Sequence, residues 1–123
     1  MTCGCSPFGP PAGPPAPSFP AEIDFGNVFG SQVIDFSAGL AGRITLTGST
    51  TLTLSGLVPG KTQWWQLKVI QAPPGGRTLG ILNSQHPGGG ILAISSAANA
   101  IDILSGYWDG SSSWVVIAGL AFA

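Results

Sequence analysis

The run Arg43-Ile44-Thr45-Leu46-Thr47-Gly48-Ser49-Thr50-Thr51-Leu52-Thr53-Leu54-Ser55 decides the fold class of this chain. Apolar and hydroxyl side chains alternate with a period of two, which a pleated strand converts into one buried and one polar face. Ile44, Leu46, Leu52 and Leu54 are therefore expected in a core, with threonines on the opposite face. Gly48 and Ser49, the small pair in the middle, predict a tight hairpin joining two strands.

The same alternation, punctuated by glycine, continues on both sides, and no stretch keeps helical spacing over three turns. Nine strands are expected: Ile23 to Phe29, Gln32 to Ser37, Gly42 to Thr47, Thr50 to Ser55, Thr62 to Gln71, Thr78 to Leu82, Ile91 to Ser95, Ala100 to Trp108 and Ser113 to Ala121. Turns fall at Pro59-Gly60, at Pro73 to Gly76 and at Asp109-Gly110, and His86 to Gly90 reads as a flexible loop. Ala97 to Ala100 has room for a single helical turn. Nine short strands at this spacing predict an all-β domain over residues 22–123, an antiparallel β-sandwich or jelly roll.

Before it lies a segment of a different kind. Seven of the 11 prolines fall within residues 1–20, at Pro7, Pro10, Pro11, Pro14, Pro15, Pro17 and Pro20. Proline fixes φ and removes a backbone donor, so residues 1–21 are expected to form an extended arm reaching roughly 60 Å at about 3.1 Å per residue. Such an arm reads either as a disordered tail or as a tether that lies on a neighbouring subunit, for which Phe8 and Phe19 are the anchors.

Charged residues make up 7% of the 123, with a net charge of -1, where about 25% is usual. Four scattered cations form no footprint for nucleic acid or anionic lipid. The longest apolar run, Trp114 to Ala123, is about half of what a membrane-spanning helix needs. The first residues lack the cationic and apolar regions of a secretory signal, which implies synthesis and retention in the cytoplasm. With so few charges, much of the surface is expected to be covered by copies of the chain or by other protein.

The residues that carry chemistry are sparse. His86 is the single histidine; alone it completes no zinc site, unless three copies meet on a symmetry axis. Cys3-Gly4-Cys5 has the wrong spacing for a redox or structural zinc pair and reads as free thiols. Of Glu22, Asp24, Asp35, Asp102 and Asp109, the last belongs to its turn, and Asp102, inside an apolar strand, is expected to face away from the core or bond a neighbouring backbone. Gly88 to Gly90 is followed by neither a helix nor Lys-Ser/Thr, so it is no phosphate loop. No catalytic residue, cofactor or metal is predicted. Trp64 and Trp65 must face opposite sides of their strand, so at most one is core. The other is expected to be exposed, as a stacking surface for pyranose rings, or covered in a subunit interface. Tyr107, Trp108 and Trp114 near the Asp109 turn are expected as a second platform of the same kind.

Residues 42 to 118 resemble a domain of tailed-bacteriophage virion proteins. The resembling segments are Ile44 to Leu54, Leu57 with Pro59-Gly60-Lys61-Thr62, Leu67 to Gln71 followed by Gly75-Gly76-Arg77-Thr78-Leu79, Ala97 to Leu104, and Trp108-Asp109-Gly110 to Trp114. Their order is the specific part. The resemblance implies a virion structural protein, a β-sandwich homotrimer of the capsid decoration (cement), head-fibre or tail-fibre kind. The Pro-rich arm and the lack of a coiled-coil shaft point to decoration of the outer capsid, with Phe8, Pro10, Pro14 and Phe19 contacting the major capsid protein. The alternative is a fibre module that binds host-surface glycan through Trp64, Trp65, Trp108 or Trp114.

Overall fold

The computed structural model describes residues 21–86 and 92–122. The arm with its anchors Phe8, Pro10, Pro14 and Phe19, both cysteines and the Gly88 to Gly90 loop lie outside the described residues.

The Thr/Leu run forms one strand. β2 spans Ala41–Ser55 without interruption, so the hairpin expected at Gly48-Ser49 does not exist. The two predicted strands before it are likewise one, β1 at Ile23–Asp35, and β3 follows at Gln63–Gln71. β4 is Leu79–Ile81, β5 is Ser84–Gln85, β6 is Ile101–Trp108 and β7 is Ser113–Phe122. Residues 92–96 form no strand, and Ala97 to Ala100 make a turn without a helix.

The described chain is all-β, and its seven strands join in one mixed sheet ordered β1-β2-β3-β6-β7-β5, with β4 also on β2. Purely antiparallel pairing is not observed. β1 lies parallel to β2, and β2 lies parallel to β3 along Ala41–Leu46 and to β4 along Thr50–Leu52. β5 is parallel to β7, while β3, β6 and β7 are antiparallel neighbours.

This pairing forces the strands to bend. Ile23 is level with Gly42 and Asp35 with Ser55, so after β1 the chain must return to its starting level. A straight strand of 13 residues would span about 43 Å, whereas the residues between Asp35 and Ala41 reach roughly 20 Å at most. The register slips between Asp24 and Asn27 and between Val28 and Gly30 mark the bends. Gly26 and Gly30 sit there at φ 78° and 62°, a region that other residues enter only at a cost. The chain therefore winds, and β2, then β3 and β4, stack on the two limbs of the preceding turn.

The limbs enclose one core. Ile44, Leu46 and Leu52 are buried as the alternation predicts, with Val28, Ile34, Phe36, Trp65, Leu67, Val69, Leu79, Leu104 and Val115; Leu54 packs at the margin. Trp65 is its largest member, stacked on Phe36 at 5.5 Å and donating its indole N–H to the Ser113 hydroxyl at 3.1 Å. Gly106 faces that ring: a Cβ there would fall 2.0 Å from it.

Candidate functional site

The Trp64-Trp65 pair divides as strand geometry requires. Trp65 is in the core, which removes it from any platform, and Trp64 is 65% exposed on the outer face. Strand register then assembles a row: Trp64 of β3 is opposite Tyr107 of β6, which is opposite Trp114 of β7. Directly opposed residues share a face, so the three rings lie side by side across three strands at one end of the sheet. The ring centroids of Trp64 and Tyr107 are 4.8 Å apart, tilted by 40°, and Trp114 is 51% exposed.

The rings are held in place. Trp114 donates its indole N–H to Asp109 Oδ2 at 2.8 Å. Asp109 Oδ1 accepts the backbone N–H groups of Ser111 and Ser112, each at 2.9 Å, and the Ser111 hydroxyl. The Trp114 indole first, and then the two backbone donors, hold the Asp109 carboxyl far below the usual carboxylate range. The Asp-Gly turn thus does more than reverse the chain between β6 and β7: it fixes the orientation of an exposed indole. Trp108, expected beside Trp114, belongs elsewhere. Its position in β6 puts it on the inner face, packed against the core, with its indole N–H given to the Val58 carbonyl at 2.9 Å.

The remaining carboxylates have structural partners. Glu22 pairs with Lys68 at 3.2 Å and Arg43 at 3.7 Å, and Asp24 pairs with Arg43 at 3.0 Å. The Arg43 guanidinium and the Gly26 N–H lower the Asp24 pKa, and the Ser37 backbone N–H lowers that of Asp35. Asp102 is buried, accepting the N–H groups of Ser95 and Ala121, which is the backbone bonding anticipated for it. Among the described residues no three His, Cys, Asp or Glu side chains cluster as a metal site. His86 borders an open hollow with Gln85, Trp114 and Val116.

Two features escaped the sequence reading. Gln71 is buried, its amide donating to the Arg77 carbonyl at 2.7 Å and the Ser95 carbonyl at 3.1 Å while its oxygen accepts the Arg77 N–H. A glutamine closing an apolar strand just before Pro73-Pro74-Gly75-Gly76 was the available signal. The second is an apolar strand edge. From Val115 onward β7 has no strand on its outer side among the described residues, and Val116, Leu120 and Phe122 are exposed along it. Phe29 and Val33 are exposed on β1 at the other end of the strand order.

Comparisons with protein-family models, with curated proteins and with solved structures find no match to this chain.

Proposed function

We propose that the chain is a non-enzymatic structural subunit of a phage virion, a capsid decoration protein that associates as a homotrimer and whose arm reaches the major capsid protein. The observation that carries the reading is the β7 edge. Ser113–Phe122 contains no charge and no proline, and Val116, Leu120 and Phe122 are exposed along it. Free proteins blunt such edges with charges, prolines or short strands, because an open apolar edge recruits another chain. Among the described residues β7 itself carries neither charge nor proline, in a chain that is only 7% charged. A subunit that is always assembled needs neither. The two limbs of the bent strands, facing each other across one core, are what we read as the layers of a sandwich.

Native mass spectrometry of the full chain and of Val116→Lys tests the assembly. The parent is expected to fly as a trimer and the variant as a folded monomer. A monomeric parent would remove the support.

The exposed, braced rings of Trp64 and Trp114 favour a second reading, a head- or tail-fibre module that stacks host-surface glycan on them. In that case Trp114→Ala abolishes adsorption to cells while the domain stays folded.

A further inference from the structure

The aromatic row and the Pro-rich arm match each other in spacing. We propose that the row is a docking site for a polyproline II helix, and that its occupant is this chain's own arm, with Pro17 over Trp64 and Pro14 over Trp114. The proposal does not depend on the virion reading.

A polyproline II helix has three residues per turn, so residues three apart line one face. Phe8, Pro11, Pro14, Pro17 and Pro20 stand in that relation without a break. Successive members of the stripe are separated by about 9.3 Å, three rises of about 3.1 Å. Trp64 and Trp114 lie on strands two places apart, with Tyr107 between them, which puts them about 9.6 Å apart at about 4.8 Å per strand. One turn of the arm thus spans the row from ring to ring. Rings lining a shallow track are how proline-rich segments are commonly held, because the helix is already extended and loses little entropy on docking.

The arm is also aimed at the row. β1 starts at Ile23, level with Gly42 of β2 and through it with Leu67 of β3, and backward from Ile23 the chain runs in the direction from Leu67 toward Trp64. Glu22, at the root, is tied to Lys68 and Arg43. Lys68 lies four residues along β3 from Trp64 and so on the same face, which pins the root to the side that bears the rings. From Glu22, Trp64 is about two residues up and two strands across, roughly 12 Å. The five residues from Glu22 to Pro17 cover about 15 Å. Pro20 falls short of Trp64, and Pro17 reaches it. A sugar is the weaker occupant, because both oxygens of the carboxylate beside the row, Asp109, are already engaged by the Trp114 indole and the turn. With the root docked, residues 1–11, including Phe8 and Pro10, extend past β7.

Paramagnetic relaxation in the full chain tests this. A nitroxide is attached through Ala12→Cys, outside the stripe, with Cys3→Ser and Cys5→Ser. The indole N–H signals of Trp64 and Trp114 are expected to lose most of their intensity, while the amides of Ser31 to Val33, on the other limb, keep theirs. Adding Pro11→Ala, Pro14→Ala and Pro17→Ala, which leaves the domain untouched, is expected to restore the indole signals. Indole signals untouched by the nitroxide overturn the proposal, all the more directly if an added oligosaccharide shifts those same signals. Mixing spin-labelled unenriched chain with unlabelled ¹⁵N chain separates the last alternative: loss of the Trp64 indole signal, two strands in from β7, as complete between chains as in the uniformly prepared sample assigns the row to a neighbour's arm and overturns docking within the chain.

Discussion

Trp64 and Trp65 differ by one position, and the pleat sends one ring to solvent and the other to the centre of the core. Trp65 is fixed on three sides, by Phe36, by Ser113 and by the absence of a side chain at Gly106. Because the ring cannot retreat, Gly106→Ala is expected to cost about 1–3 kcal/mol through overpacking, and Trp65→Ala about 3–5 kcal/mol through the cavity it leaves. Urea unfolding of both variants measures this, with unchanged midpoints as the contrary result. Asp109 sets a second expectation. Its pKa is lowered in the folded state, so the folded chain binds that proton more weakly than the unfolded chain. The stabilisation it gives is complete above the unfolded value of about 4 and fades as pH falls toward the folded value. Asp24 and Asp35 are shifted the same way, so Asp109→Asn is expected to remove part of the loss of stability on acidification and leave the rest. Urea midpoints followed from neutral pH downward, with the Trp114 indole signal as a local probe, report it.

At the scale of the element, β2 shows what the sequence could reveal and where its reading failed. Ile44, Leu46, Thr50, Leu52 and Leu54 all carry even numbers, and the inward face keeps that parity across Gly48-Ser49. A two-residue turn there would oppose Leu46 to Thr51 and Ile44 to Thr53, placing leucine and threonine on one face. The unbroken parity thus speaks against the two-residue turn that Gly-Ser resembles, while a three-residue loop would keep it; the single strand is set by pairing with β1, β3 and β4. The Asp109-Gly110 hairpin was legible because an Asp-Gly pair between two alternating runs has no such conflict. The row of rings was only partly legible: local pleating separates Trp64 from Trp65, but Trp64 and Tyr107 are 43 positions apart in the chain and are brought together by the register between β3 and β6. Gln71 acts on whole segments, bracing both the Arg77 loop and the stretch at Ser95. Gln71→Ala is expected to leave those backbone groups unpaired, at a cost of about 1–3 kcal/mol. Hydrogen exchange is expected to quicken first at Arg77, whose N–H the Gln71 oxygen accepts. Protection unchanged there would mean that the loop holds without the amide.

For the whole molecule, the winding of parallel limbs was not legible, because alternation gives the same signal in parallel and antiparallel sheets and only long-range pairing distinguishes them. What composition did carry was the expectation of a covered surface, and the exposed apolar residues of β7 are where the proposed association is tested. Val116→Lys changes an exposed side chain, so its stability is expected within about 0.5 kcal/mol of the parent while association is lost. Equal association in the variant, read by native mass, would place the interface elsewhere. The most direct measurement of the proposed virion role is cryo-electron microscopy of phage particles searched for this chain. The expected result is many copies on the outer shell, grouped in threes, with arm density crossing onto adjoining capsid subunits. Particles without this chain would contradict a virion role, and a few copies confined to the tail would contradict capsid decoration and make Trp64 and Trp114 the first residues to test against host glycan.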